Sequence, residues 1–319
     1  MAYPELSIVV YNRKQPDACV RLLTSCEQLS SSDMDFEVVV VQSGLTEKVQ
    51  SMLTDYSFSF PLNVVTSDED INRARGRNLG VEAAQFEHIL FLDTELEASP
   101  DLLNAHMEGL SAPEVLAVMG EILLPRFVKK NRWYRYLDSF YRSTRRWSLV
   151  NKTQNTPPLR YVNTSNFSLR KKDFQEAGGY SEDIDHKEAE DIDLAQRLHA
   201  LNGGVIRYQP DAMAYCLHAG LKQAMASKYE FGLEGIPKLI AKYPELYGRL
   251  STRFITLDGF PRRPLFYRLF WRLLFSAPVF FVARGVRLVS PEFIAYRMLR
   301  FMLQYESVRG VRDALKNYS

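Results

Sequence analysis

His88-Ile-Leu-Phe-Leu-Asp-Thr-Glu95 decides how this chain folds. Its apolar run reads as a short strand buried on both faces, the kind found in parallel sheets covered by helices, and it ends abruptly on two carboxylates one residue apart. Working outward, Leu6–Val10, Glu37–Val41 and Asn63–Thr66 are further β-branched runs of strand length. Helical patterns lie between them at Asp17–Leu29, Glu47–Tyr56 and Arg73–Ala84, followed by Ser99–Leu110 with Ser99 as cap and Pro100 in the first helical position. Strands alternating with helices predict an open, mainly parallel α/β half over residues 1–125. In such sheets ligands bind at the carboxyl ends of the strands, so Tyr11, Asn12, Gln42, Ser43 and Asp93 are expected to line one crevice.

Composition changes beyond that half. Between Arg126 and Trp147 eight Lys/Arg are interleaved with seven aromatics and one acid, Asp138, which marks an insertion. Mixed structure returns at Tyr161–Arg170 and in a helix at Lys171–Ala177 that Gly178 and Gly179 stop. A helix over Glu188–Leu201 and strands at Val205–Tyr208 and Ala212–Cys216 follow. Residues 126–220 are therefore read as a second half carrying the insertion 126–147, and residues 221–319 as a helical, aromatic, basic region.

The 319 residues are 46% apolar and 24% charged, as in a globular protein, and a net charge of +2 excludes a generally polybasic nucleic-acid binder. The balance is uneven: from Phe260 onward eleven Lys/Arg face three acids. Three scattered cysteines suit neither a disulfide scaffold nor a four-ligand zinc site. The N-terminus lacks the basic and long apolar regions of a signal peptide, so a cytoplasmic origin is expected.

Two acidic sites carry candidate chemistry. Asp93 and Glu95, at a buried strand's exit, are the hard oxygen ligands that a divalent cation bridging a diphosphate requires; an acidic helix start before Ser99 would look the same. In Ile184–Leu198 the spacing of Leu194 and Leu198 marks an inward helix face and puts Glu190 and Asp191 in the first turn. There they are either dipole complements or a general base for an acceptor hydroxyl. Arg73 and Arg77, at i and i+4, form either a diphosphate clamp or a solvated basic face. His218, at a strand end, is either an imidazole ligand or a packing residue.

The ordered conjunction of Leu6-Ser-Ile-Val-Val-Tyr-Asn-Arg13, Glu37-Val-Val-Val-Val-Gln-Ser-Gly44, Arg77-Asn78-Leu-Gly80, Phe91-Leu-Asp-Thr-Glu95, Asn166-Phe-Ser-Leu-Arg170, Gly178-Gly-Tyr180, Glu190-Asp-Ile-Asp193 and His218 resembles the family 2 glycosyltransferases over about residues 4–235. The resemblance implies the glycosyltransferase A-type fold, with a Rossmann-like nucleotide-sugar half fused to an acceptor half. It also implies inverting transfer from a nucleotide-diphosphate sugar to a glycan or lipid-linked acceptor, with Mg or Mn as cofactor. On this mapping Asp93 and Glu95 stand for the Asp-x-Asp motif and Asp191, paired with Glu190, for the base. His218 matches an additional metal ligand, while Tyr11, Asn12, Arg13, Gln42, Ser43, Arg73, Arg77, Asn78 and Asp93 fall on the donor site. Two departures stand out. Gln42-Ser43 replaces the usual acidic pair that reads the base, which weakens the expectation of a UDP-sugar and leaves a non-catalytic nucleotide-sugar binder as the rival. Glu95 replaces the second Asp.

In the tail, the longest charge-free stretch, Leu273–Ala283, is eleven residues, whereas spanning a bilayer needs roughly 20. Arginines beside aromatics suit helices lying in the headgroup layer at the cytoplasmic face of a membrane, a buried helix pair or homodimer interface being the alternative.

Overall fold

The computed structural model describes residues 5–31, 34–44, 57–125, 131–139, 155–201, 203–216, 220–257, 259–261 and 263–317. The expected helix at Glu47–Tyr56, His218 and most of the 126–147 insertion lie outside them. The chain divides into two compact units, one of residues 1–126, 138–183 and 190–218, the other of residues 127–137, 184–189 and 219–319.

The first unit is built on one eight-stranded sheet. Its strands are β1 (Glu5–Arg13), β2 (Asp35–Ser43), β3 (Leu62–Ser67), β4 (His88–Leu92), β5 (Leu96–Ala98), β6 (Val115–Leu123), β7 (Asn166–Arg170) and β8 (Val205–Cys216), in the order β3-β2-β1-β4-β7-β6-β8-β5. The first four strands in that order are mutually parallel, and β6 is parallel to β8. Antiparallel β7, set between β4 and β6, and antiparallel β5 at the edge make the whole sheet mixed. The helices are α1 (Pro16–Cys26), α2 (Arg73–Ala83), α3 (Leu102–Leu110), α4 (132–139), α5 (Lys171–Glu176), α6 (Lys187–Ala200), α7 (Leu221–Glu230), α8 (Ile236–Lys242), α9 (Leu265–Leu274), α10 (Ala277–Val289) and α11 (Glu292–Asn317).

Both sheet faces are buried, which is why the central strands read as continuous apolar runs. Leu6, Ile8, Val10, Val38, Val40 and Leu90 pack with Leu22 and Leu23 of α1 and Leu102 and Leu103 of α3. Val9, Val39, Ile89 and Phe91, offset by one residue, point the other way, onto Ala74 and Val81 of α2 and Leu194 and Leu198 of α6.

Two expectations are corrected. α3 begins at Leu102, not at Ser99-Pro100, because Leu96–Ala98 pairs with β8 and the Ser99 amide continues that pairing by donating to the Met213 carbonyl at 3.2 Å. The strands expected at Val205–Tyr208 and Ala212–Cys216 are one strand, with a register shift opposite Gly120 and Glu121 that accommodates Pro210, which has no amide to donate.

The second unit is helical. α11 runs against α7 and a π-turn at Phe231–Gly235, and the approach is backbone to backbone. A Cβ on Gly232 would lie 2.1 Å from the Ser307 carbonyl, and one on Gly310 would lie 2.1 Å from that of Tyr229. The inner faces of α9 and α10 stack on α11 through Phe275 with Phe301 and Phe280 with Tyr305, and Arg312 caps the end of α9 by donating to the Phe275 carbonyl at 2.6 Å. In α4, Trp133 stacks on Tyr136, Arg135 pairs with Glu292 at 2.6 Å, and Arg132 donates to the carbonyls of Arg287 and Leu288 at the end of α10. Among the described residues no single helix is long and apolar enough to cross a membrane; α9 and α10 meet that test only as a pair, bent by 48°.

Candidate active site

Because β1, β2 and β4 are parallel, they end at one sheet edge, and Asn12 pairs in register with Gln42 and Arg13 with Ser43. The Asn12 amide donates to Gln42 Oε1 at 2.6 Å, and Gln42 Nε2 donates to the carbonyls of Ser43 at 3.0 Å and Gly44 at 3.2 Å. The Gln42 carboxamide is therefore committed to its neighbours. Tyr11 donates to the Ile71 carbonyl at 2.5 Å, and the Ile71 amide donates to Ser43 Oγ at 3.0 Å. Arg13 grips Asp70 with two hydrogen bonds of 2.7 and 2.8 Å, which lead in holding that exposed carboxyl down at about 2. The edge predicted from sequence thus brings Tyr11, Asn12, Gln42 and Ser43 together, with Arg13 at its rim.

Beside it lies a cluster of carboxylates and guanidiniums. Asn72 caps α2 by accepting from the Arg75 amide at 2.9 Å, which sets Arg73 and Arg77 on successive turns of one face. Arg73 donates to Asp191 Oδ1 at 3.0 Å, to Asp93 Oδ2 at 3.4 Å and, through Nε, to Glu190 Oε1. Burial works against its charge, but Asp93, Glu190 and Asp191 together hold its proton more firmly than in water. Arg77, only 2% exposed, donates to Asp93 Oδ1 at 2.7 Å, to the Thr164 hydroxyl at 2.7 Å and to Tyr180 Oη at 3.0 Å. Its guanidinium lies within 5.4 Å of the Phe91 ring centre and 5.0 Å of that of Tyr180, so every face is spent inside the protein. Glu190 lies 3.5 Å from Arg77, and burial pushes its carboxyl upward against the pull of both arginines.

Asp191 is held by a residue that the sequence did not single out. The Thr164 hydroxyl donates to Asp191 Oδ1 while accepting from Arg77, and the Ser165 carbonyl accepts from the Asp93 amide at 3.0 Å. The one signal in the sequence is the run Thr164-Ser165 immediately before β7. Asp193, two residues further along α6, faces elsewhere: it accepts from Ser181 at 2.8 Å and from Arg197 at 2.7 Å. Arg197 also donates to the carbonyls of Ala177 and Gly179, and Asn78 exchanges hydrogen bonds with the Tyr180 backbone. These groups fasten the Gly178-Gly179 turn, whose φ of +81° and +65° favours glycine, and with it the position of Tyr180.

Glu95 is exposed in the turn that leaves β4, next to Asp93, whose two oxygens face Arg77 and Arg73. Among the described residues no group of three or more His, Cys, Asp and Glu is arranged to hold a metal ion, and His218 lies outside them. The donor set nonetheless fits a hard divalent cation, because Mg-type sites commonly use one or two carboxylates and complete the shell with water and substrate phosphates.

A family model described as glycosyl transferase family 2 matches residues 6–178. Chondroitin synthase of Escherichia coli is 26% identical over 246 residues, covering 66% of this chain; the chain spans 34% of that protein's length. Among solved structures, the mannosyltransferase PcManGT from Pyrobaculum calidifontis, in complex with GDP-Man and Mn2+, aligns with a TM-score of 0.66 at 16% identity over 98% of this chain and 88% of that one. S. aureus TarS 1–349 in complex with UDP-GlcNAc aligns with a TM-score of 0.55 at 14% identity over 99% and 92%. At these identities the structural likeness shows the fold: a mixed α/β sheet with helices of the glycosyltransferase A type.

Proposed function

The chain belongs to glycosyl transferase family 2, and from that premise we propose that it moves a sugar from a nucleotide-diphosphate sugar, a UDP-sugar in the first instance, to a hydroxyl of a glycan or lipid-linked acceptor, with inversion at the anomeric carbon. The observation that carries this reading is the meeting of Asp93 from the end of β4 with Glu190 and Asp191 from α6 around Arg73, at the edge where open α/β sheets bind ligands. The GDP-Man and Mn2+ bound to PcManGT and the UDP-GlcNAc bound to TarS support a nucleotide-sugar donor and a divalent ion.

Asp191 is the base. Thr164 and Arg73 both donate to its Oδ1, which fixes the carboxylate; Oδ2, which receives no hydrogen bond among the described residues, takes the proton of the acceptor hydroxyl as the acceptor oxygen attacks the anomeric carbon. The bond from that carbon to the diphosphate breaks on the opposite face. Arg73 is the cation closest to the three carboxylates that is not sealed away, and it screens the charge leaving with the nucleotide, while Arg77 holds Asp93 in place. A Mg or Mn ion held by Glu95 beside Asp93, with His218 as a further ligand, would supply Lewis-acid neutralisation of the diphosphate.

A thermal-shift panel of UDP-, GDP-, CMP- and dTDP-sugars, with and without Mn, tests the donor side. One donor class should raise the melting temperature in a metal-dependent way, because a ligand that binds only the folded state stabilises it by mass action. No shift with any donor refutes the reading, and a shift without turnover on any acceptor favours a non-catalytic nucleotide-sugar binder.

A further inference from the structure

α9 and α10 turn their most apolar surfaces outward. At 3.6 residues per turn, Leu265, Phe266, Leu269, Phe270 and Leu273 of α9 fall within about 140° of arc, and all are exposed, Phe266 by 74%. On α10 the same holds for Phe281, Val282, Leu288 and Val289, the last 86% exposed. An aqueous surface gains nothing from such a stripe, whereas the inward stripe of the same helices is satisfied by α11.

The charges bordering the stripes say what should cover them. On a helical projection Arg268 and Arg272 lie at the edge of the α9 stripe and Arg284 at the edge of the α10 stripe. All three are exposed, and none forms an ion pair among the described residues. Their charge is felt by neighbouring guanidiniums: Arg287 is held below the ordinary value by burial and by Arg284, and Arg312 by burial, with Arg272 adding to the effect against Tyr305 and Asp313. A protein partner with an apolar face alone would leave these arginines uncompensated. A lipid surface supplies acyl chains for the stripe and phosphates for its border in one plane.

We propose that α9 and α10 dock on an anionic phospholipid surface and lie within its headgroup layer. Among the described residues no single helix is long and apolar enough to span, and the 48° bend between α9 and α10 lets both lay their exposed stripes on a leaflet. The surface shares no residue with the carboxylate cluster, so docking neither requires nor follows from the proposed transfer reaction. It would hold the enzyme beside a lipid-linked acceptor.

Flotation of the full chain with vesicles is the test, and it needs no donor or acceptor. The protein should float with phosphatidylglycerol vesicles at low salt and bind phosphatidylcholine vesicles at least tenfold more weakly. The triple variant Arg268→Gln, Arg272→Gln, Arg284→Gln should lower the partition coefficient to anionic vesicles roughly 100-fold, each basic residue near such a surface being worth about fivefold. The triple variant Phe266→Ser, Leu269→Ser, Phe270→Ser should abolish flotation while its circular dichroism and melting stay those of the parent. Failure to bind phosphatidylglycerol at low salt overturns the proposal. So does equal binding by all variants, or a stable dimer in solution that the Phe266 variant dissociates.

Discussion

Arg77→Met removes the most enclosed cation among the described residues and leaves Arg73 paired with Asp93, Glu190 and Asp191. Methionine fills much of the slot between the Phe91 and Tyr180 rings, so the loss is chiefly electrostatic and hydrogen-bonding: the pair with Asp93 at 2.7 Å and the bonds to Thr164 and Tyr180 disappear. Breaking a buried pair by removing one partner costs about 3–5 kcal/mol, which for a chain of this size lowers the melting temperature by roughly 4–8 °C. The pH dependence identifies the cause. Without Arg77 the carboxylates repel one another, and the Glu190 carboxyl, already pushed up by burial in the parent, is pushed up further. The folded variant then binds more protons than the unfolded variant, and its stability recovers as pH falls from 8 towards 5, by about 1.4 kcal/mol per unit of raised pKa. The parent shows a weaker recovery, because Arg77 draws the Glu190 carboxyl down against burial. Urea denaturation followed by circular dichroism at pH 8, 7, 6 and 5 measures both quantities. A loss under about 1 kcal/mol at pH 7, or a loss independent of pH, would refute this account of the cluster.

Three further outcomes are expected. His106, sealed beneath the sheet with Ser168 and Asn166 each at 2.8 Å, is pushed down to about 4 by burial; the unfolded chain then takes the proton first, so roughly 3 kcal/mol of stability is lost as pH falls from about 6.5 to about 4. His106→Gln should flatten that part of the stability curve, and an unchanged slope would assign it to other groups. Thr164→Val, which removes a hydroxyl held between Arg77 and Asp191, should lower kcat about tenfold with KM for the donor little changed, and a rise in KM alone would place Thr164 at the donor. Glu95→Gln should abolish the metal-dependent part of donor binding measured by calorimetry with and without a chelator; binding that stays metal-dependent would move the ion elsewhere.

The strands that place the site could be read from sequence because a sheet buried on both faces leaves nothing but apolar residues between its ends. His88–Leu92 matches β4 residue for residue, and the edge where Asp93 emerges follows from it. Ser99-Pro100 makes a sound local cap, yet a three-residue strand pairing with β8, more than a hundred residues later, outweighs it and moves the start of α3 to Leu102. β6 has no clear pattern in the sequence: it carries Glu121 in its buried length, a carboxylate to which Tyr208 donates a hydrogen bond. The spacing of Arg73 and Arg77 correctly put them on one face. That Arg77 would be enclosed by Phe91, Thr164 and Tyr180 depends on three separate segments, and no local pattern encodes it. The same is true of Thr164, which reaches Asp191 across 27 positions.

The role of Asp191 is tested most directly by measuring donor affinity and single-turnover transfer together in the parent, Asp191→Asn and Glu190→Gln, with the anomeric configuration of the product read by NMR. Asp191→Asn should bind the donor as the parent does and slow transfer by roughly 100-fold or more, Glu190→Gln should retain more activity than Asp191→Asn, and the parent's product should have the configuration opposite to the donor's. Near-normal transfer by Asp191→Asn, or a product that keeps the donor's configuration, would contradict the account.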